Sequence, residues 1–246
     1  MTEYYDDRSQ DAKIWYEHHM PNFQYIPISQ LPPGATLGFS YDGLVVNPND
    51  LLPWLISQFK KSGVTFIQHT LSSIQELKEL TSADVLLNAS GLGARDLAND
   101  EKVYGVRGQT MFVKCEGVER EALLSQATLH QGSHYTYVIP RASDGGIILG
   151  GFSQPANTQT TPDPSLRSDI LKRVNSMTRG RLEWVDLEKH GDDIVGFRPA
   201  REGGLRVERE GDVVHAYGVG GLGYMYAFGV AEKVRLLVEE RERARL

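Results

Sequence analysis

Leu51, Leu52, Leu55, Ile56 and Phe59 recur at helical spacing. They predict a helix that opens at Asn49 or Asp50, both good N-cap residues, and closes at Gly63, a C-cap residue. Pro53 falls in the first turn, where a missing N–H costs least. Short apolar runs at 64–68 and 84–88 read as strands, and the second runs into Ala89-Ser90-Gly91-Leu92-Gly93. Helix, strand, and a strand ending in glycine predict part of a buried α/β sheet.

From Val103 the rhythm changes. Residues 107–114, 135–140 and 146–150 read as strands, and Ser143-Asp-Gly-Gly146 joins the last two as a hairpin turn. Ser165 is expected to cap a helix running to about Met177. Strands are expected at 193–197, 205–208 and 213–217. The last of these breaks into Gly218, Gly220, Gly221 and Gly223, and a helical pattern runs from Tyr226 to about Glu240. The segment before Asn47, rich in Pro, Tyr and Asp with turn signals at Leu31-Pro-Pro-Gly34 and Tyr41-Asp-Gly43, reads as largely irregular. The fold class expected is therefore α/β plus α+β, in two interleaved domains. Residues 1–47 and 101–199 are expected to form an antiparallel-sheet domain, and residues 48–100 and 200–246 a Rossmann-like α/β domain.

Composition narrows the function classes. A chain of 246 residues can bury a sizeable core. A net charge of -6 argues against nucleic acid or an anionic membrane surface as the main partner. No apolar run approaches the ~20 residues that span a bilayer. With Cys115 as its one cysteine, the chain forms no internal disulfide and no thiolate metal cage, which fits a reducing compartment. The pairs His18-His19 and His130 with His134 lack supporting metal ligands. Asn88-Ala-Ser90 is a formal glycosylation sequon, but it ends a strand that reads as buried.

Three segments carry candidate chemistry. A strand that breaks into four glycines and continues as a helix lets backbone approach a phosphate or ring closely, because a Cβ would collide. The helix N-terminus then offers unpaired N–H groups and a partial positive charge. In Gly196-Phe-Arg-Pro-Ala-Arg201, Arg198 stands before a proline at a strand end and can present a fixed fork to a carboxylate. In His134-Tyr-Thr-Tyr-Val-Ile-Pro-Arg141, the Tyr137 hydroxyl can donate to the same group. Each taken alone also has a plain structural reading: a tight turn, an ion pair, a half-buried strand aromatic.

Together the segments resemble the D-amino acid oxidases and their D-aspartate oxidase relatives among the FAD-dependent oxidoreductases, closest in texture to the fungal type. Pro53-Trp-Leu55, Asn88-Ala-Ser-Gly-Leu-Gly93, Arg107-Gly-Gln109, Tyr137-Val-Ile-Pro140, Gly196-Phe-Arg-Pro199 and Tyr217-Gly-Val-Gly-Gly-Leu-Gly223 stand in family order over most of the chain. The resemblance implies that Arg198 holds the substrate α-carboxylate bidentately, that Tyr137 shares it, and that the Gly221 carbonyl receives the amine. It implies that Gly220, Gly221 and Gly223 lie against the flavin of FAD, with Met225 where relatives place a polar flavin contact and Val219 where a histidine is common. Ser90 and Gly91 would line the cofactor path, and Leu71 would sit near the adenine.

The reaction so implied is oxidation of a D-amino acid by FAD and O2, giving a 2-oxo acid, ammonia and hydrogen peroxide. Alignment does more there than a side-chain base, because the flavin carries the hard chemistry. A homodimer is compatible with the resemblance. The Ala244-Arg245-Leu246 end resembles a peroxisomal address; otherwise a cytoplasmic location is expected. The family opens with a strand, a Gly-x-Gly-x-x-Gly turn and a helix, a unit of ~30 residues. Nothing before Tyr4 supplies it, so weak or absent FAD binding is expected of this chain. Two alternatives remain open: a D-aspartate oxidase, for which His134 is a weak candidate for the added cation, and a non-catalytic remnant or interaction module.

Overall fold

The computed structural model describes residues 1–7, 14–115, 125–131, 134–141 and 143–244. The chain divides into two compact units. Met1–Ser57, Gly108–Ser153 and Gln159–Gly196 form the first, and Gln58–Arg107, Gln154–Thr158 and Phe197–Leu246 the second. The joins differ from the sequence expectation. Residues 48–57 group with the first unit, and 101–107 and 197–199 with the second.

In the first unit, β5 (Val103–Lys114, from Gly108 on), β8 (Gly146–Gly150), β7 (His134–Arg141), β6 (Ala127–Gln131), β1 (Thr2–Tyr5), β3 (Leu37–Ser40) and β2 (Gln24–Tyr25) follow one another across one sheet. Pairing is antiparallel except where β1 runs parallel to β6. The β7–β8 turn is the expected hairpin, with Gly145 at φ +72° and the Asp144 N–H on the Arg141 carbonyl at 3.1 Å. One sheet face carries Met111, Val113, Leu129, Val138 and Leu149 against Ile170, Val174 and Met177 of α4 (Pro164–Thr178). Cys115 is packed in the same core.

Three expectations need correction here. The segment before Asn47 is not largely irregular, since it contains β1, β2 and β3. Its pattern misleads because the buried residue of β1 is Glu3, whose carboxylate accepts hydrogen bonds from Tyr41 at 2.5 Å and Tyr5 at 2.6 Å. Burial alone would raise the Glu3 pKa, but hydrogen bonds from His130, Tyr41 and Tyr5 outweigh it and hold the carboxyl at about 2. Asn47, not Asn49 or Asp50, caps α1 (Pro48–Lys61): its Oδ1 accepts from the Asn49 N–H at 3.2 Å, and Pro48 takes the first helical position. Asp163, not Ser165, caps α4; Ser165 donates both its N–H and its hydroxyl to Asp163 Oδ1.

The second unit holds α2 (Ile74–Leu80), β4 (Leu86–Asn88), α3 (Ala94–Leu97), β9 (Gln154–Pro155), β11 (Arg206–Glu210), β12 (Val213–Tyr217) and α6 (Gly223–Ala244). β12 lies between β11, antiparallel, and β4, parallel. The 64–68 segment, expected as a strand, pairs in no ladder among the described residues. The short helix α5 (Leu187–His190) lies in the first unit and leads into β10 (Gly191–Arg201), which continues into the second.

Candidate functional site

The glycine turn grows out of the buried strand β12, where Val213, Val214, His215 and Tyr217 are all enclosed. Gly218 at φ +87° and Gly220 at φ +64° adopt left-handed backbone that glycine alone enters without strain. A single 3-10 turn, Gly220–Leu222, then passes directly into α6. Glycines 218, 220 and 223 keep a Gly-x-Gly-x-x-Gly spacing between strand and helix, the arrangement that lets a nucleotide approach backbone.

The space around these glycines is uneven. A Cβ at Gly220 or Gly223 would meet nothing within 4 Å. A Cβ at Gly218 would fall 2.7 Å from the Arg201 Cβ, and one at Gly221 3.3 Å from the Arg198 Cδ. Ala200 bridges Val219 in antiparallel fashion, so the end of β10 runs along the turn and lays the half-buried Arg198 on Gly221. Gly91, at φ +61°, lies 3.7 Å from Pro199 when given a Cβ. The second unit therefore gathers Gly91, Arg198, Pro199 and Gly221 into one place.

Polar contacts fix this place from behind. The buried Asp100 carboxylate accepts from Arg201 Nε at 2.7 Å and from the Tyr217 hydroxyl at 2.9 Å, and Arg206 donates to the same hydroxyl at 2.7 Å. Burial raises the Asp100 pKa, but the hydrogen bonds from Arg201, Tyr217 and the Lys102 N–H win and lower it. Asn88, buried at the end of β4, lies 3.3 Å from His215 Nδ1 through its amide. Its carbonyl oxygen accepts from the Ser90 N–H and hydroxyl at 3.2 and 2.6 Å. The Ser90–Gly91 turn is thereby tied to β12. Burial, followed by the charge of Arg206, pushes the His215 pKa down.

The other expected residues fall nearby in sequence or apart. Leu71 is half-buried just before Ser73, the cap of α2. Met225 is 70% exposed in the first turn of α6. It lines a cavity of about 430 Å³ with Leu205, Val207, Tyr226, Gly229, Val230 and Lys233.

Tyr137 belongs to the first unit. It stands opposite Gly150 on β8 and Thr128 on β6. A Cβ at Gly150 would fall within the Tyr137 ring, and one at Gly151 would lie 2.7 Å from its hydroxyl. The Gly150–Gly151 pair is the seat of this tyrosine. Sequence reading used Gly150 only as a strand end; the signal it passed over was the doubled glycine two strand positions beyond Ile148. On the same unit a cavity of about 470 Å³ is lined by Asn49, Phe112, Arg141, Asp144, Ile148 and Ile194, with Arg141 donating to Asn47 Oδ1. His130 stacks on Tyr5 at 4.2 Å. No group of three or more His, Cys, Asp or Glu suited to a metal occurs among the described residues. No helix among them is long and apolar enough to cross a membrane. Asn88 of the sequon is 3% exposed. The side chain of His134 and the last two residues of Ala244-Arg245-Leu246 lie outside the described residues.

The turn fits a flavin nucleotide in one respect that can be tested on the backbone. Gly220 and Gly223 leave open the volume that side chains would fill, at the N-terminus of a 22-residue helix.

Comparison with known proteins agrees with this arrangement. A family model described as FAD dependent oxidoreductase (DAO) matches residues 9–236. The D-amino-acid oxidase of Fusarium vanettenii is 31% identical over 92% of this chain and 66% of its own length. That of Rubrobacter xylanophilus is 32% identical over 94% and 68%. The D-aspartate oxidase of Talaromyces thermophilus is 30% identical over 94% and 62%. The chain thus spans about two thirds of the length of these curated relatives. Among solved structures, glycine oxidase from Bacillus cereus superposes with a TM-score of 0.69 at 15% identity, covering 98% of this chain and 73% of that one. Iminodiacetate oxidase from Chelativorans sp. gives 0.71 at 16% identity, covering 97% and 71%. At such identities these two speak for the fold alone. With the family model spanning nearly the whole chain, the chain belongs to the family of FAD dependent oxidoreductases.

Proposed function

We propose that this chain supplies the substrate-holding and flavin-facing residues of a D-amino-acid oxidase. The observation that carries the reading is Arg198 laid on Gly221 at the mouth of an open glycine turn. It joins an anion-binding fork to a backbone that tolerates a ring against it. The named activities of the relatives, mostly D-amino-acid oxidases, support the same reading.

When bound, FAD supplies the two-electron acceptor for the chemistry. Gly220, Gly221 and Gly223 are the residues of this chain that would hold its ring end, with Ser90 and Gly91 along its length, Leu71 toward the adenine and Met225 beside the ring. The chain's own side chains bind and orient. The Arg198 guanidinium takes the α-carboxylate through two parallel hydrogen bonds. Tyr137, braced on its glycine seat, donates a hydroxyl hydrogen bond to a carboxylate. The Gly221 carbonyl accepts from the substrate amine, which fixes a second substituent of Cα. Holding the carboxylate and the amine orients Cα over the glycine turn, and such alignment accounts for a large share of a barrier of this kind. Where Ala244-Arg245-Leu246 forms the carboxy-terminus, it would serve as an address to the peroxisome, a sensible place for an enzyme that releases hydrogen peroxide.

The test is peroxide release by the purified chain with FAD added, using D-alanine, D-methionine and D-aspartate and their L-enantiomers. Because weak FAD binding is expected of this chain, FAD is supplied in large excess, and turnover under those conditions is expected to be specific for the D-enantiomers. Arg198→Ala is expected to raise KM by about 10²- to 10³-fold, the worth of a charge-assisted pair, with FAD affinity held within twofold. Equal loss of substrate and FAD binding would contradict the role given to Arg198. Turnover of L-enantiomers would contradict the substrate class, and a preference for D-aspartate would narrow it.

A further inference from the structure

We infer that Arg173, on the far side of the sheet from Tyr137, is the positioning residue that holds this tyrosine in its working orientation. Thr136 is fully buried on the face covered by α4, and its neighbour Tyr137 points to the opposite face. Arg173 reaches up from α4 to this strand. Its Nη1 donates to the Thr136 hydroxyl at 2.7 Å and approaches the Tyr135 carbonyl at 3.4 Å. Its Nη2 approaches the Gly151 carbonyl at 3.4 Å, and its Nε is anchored on Asp169 at 2.7 Å, one turn earlier in the helix. The guanidinium also lies over the Phe152 ring, 4.8 Å from its centroid. One planar fork therefore joins the residues just before Tyr137 to the glycine on which the tyrosine hydroxyl rests.

The fork matters because of what it grips. A glycine pair has the greatest backbone freedom of any dipeptide, so a side chain seated on it inherits that freedom unless the pair is tied down. Ladder pairing already sets Gly150 between Thr110 and Tyr137, and the Gly151 N–H bonds the Tyr135 carbonyl at 3.0 Å. Arg173 adds the tie on the Gly151 carbonyl. Lysine would keep the charge but has neither the fork nor the flat face that lies on Phe152.

The experiment uses the full chain labelled with 3-fluorotyrosine and read by 19F NMR, with the Tyr137 signal identified by its loss in Tyr137→Phe. In Arg173→Met this signal is expected to shift and broaden, while signals of tyrosines in the second unit, such as Tyr217, stay in place. Arg173→Lys is expected to give an intermediate displacement, and it carries the test if Arg173→Met does not fold. An unmoved Tyr137 signal in either folded variant overturns the inference.

The catalytic consequence rests on the function proposed above, and the same variants separate the two. KM for a D-amino acid should rise about fivefold in Arg173→Met, with kcat within twofold. In a Tyr137→Phe background the Arg173 change should add less than twofold, because its effect passes through the missing hydroxyl. A displaced 19F signal with no KM effect of Tyr137→Phe would refute the role of Tyr137 and leave its positioning by Arg173 intact. Additive KM losses would refute the positioning route.

Discussion

In the first unit, Met111, Val113, Leu129, Val138 and Leu149 interlock with Ile170, Val174 and Leu182 over one broad sheet face. In the second unit, Ala94, Val103 and Tyr217 form a smaller enclosed cluster, Leu86, Val213, Val214 and Val234 are buried besides, and Phe66, Ile67, Met225 and Phe228 lie open. Where its apolar core is smaller, the second unit uses buried polar contacts: Asp100 between Arg201 and Tyr217, Arg206 on the same hydroxyl, and His215 beside Asn88. The contrast teaches where each kind of residue is useful. A packed core gives one rigid wall on which Tyr137 can be aimed. A glycine turn offers no side chains to pack, so the strands behind it are fixed by hydrogen bonds and its outer surface stays open for a ligand.

The contrast can be broken most sharply at Asp100. Asp100→Ala leaves the half-buried Arg201 without its carboxylate, while Arg206 keeps Glu208 and Glu210, and a loss of about 3–5 kcal/mol is expected. Hydrogen exchange should show it at the amides of β11 and β12. Leu149→Ala opens a cavity in the apolar core at a cost of about 3 kcal/mol, read at β5, β7 and β8. Asp100→Ala loosening β8 as much as β12 would show that the two units open as one and dissolve the distinction.

Glu3 sharpens the comparison within the first unit, as a buried carboxylate in the unit otherwise held by apolar packing. Its folded pKa, about 2, lies below the ordinary value of 4.5. Its stabilisation is therefore fully present above pH 4.5 and is lost as pH falls toward 2, by on the order of 3 kcal/mol. Denaturant titrations across that window should show the decline, and Glu3→Gln should flatten it. An equal decline in Glu3→Gln would place the acid sensitivity elsewhere.

Gly220→Ala should have the smallest effect on folding, about 1 kcal/mol from the φ of +64°. Because the space above this glycine is open, the added methyl meets no protein atom within 4 Å, yet it would stand on the surface proposed above for the flavin. FAD affinity, measured by fluorescence titration, should fall by more than the stability does. Unchanged affinity would remove Gly220 from the cofactor surface.

Much of this was legible in the chain. The β7–β8 hairpin shows in Asp144-Gly145-Gly146 between two apolar runs, and β12 shows in Val213-Val214 before its glycines. Such elements are local, since a turn residue and a period of two suffice. β1 was hidden because its inward residue is charged, and Tyr5 two residues on, with Tyr16, Tyr41 and His130 farther along the chain, makes that burial tolerable. β6 was missed for a related reason. Ala127-Thr-Leu-His-Gln131 has one strongly apolar residue, Leu129, and takes its strand form from β7 on one side and β1 on the other. At the site, Arg198 and the glycines stood out by residue type, whereas the support given by Asp100, Asn88 and Arg173 did not.

The sequence by itself determined the β7–β8 hairpin, the glycine turn before the last helix, and the family, because spacing and residue type are written along the chain. Only the tertiary structure decided that Gly150–Gly151 seats Tyr137, that Gly221 carries Arg198, and that Arg173 grips the seat from the opposite face. Those facts depend on which strands lie side by side and in what register, and register is set by long-range packing and hydrogen bonding between segments that no local pattern links.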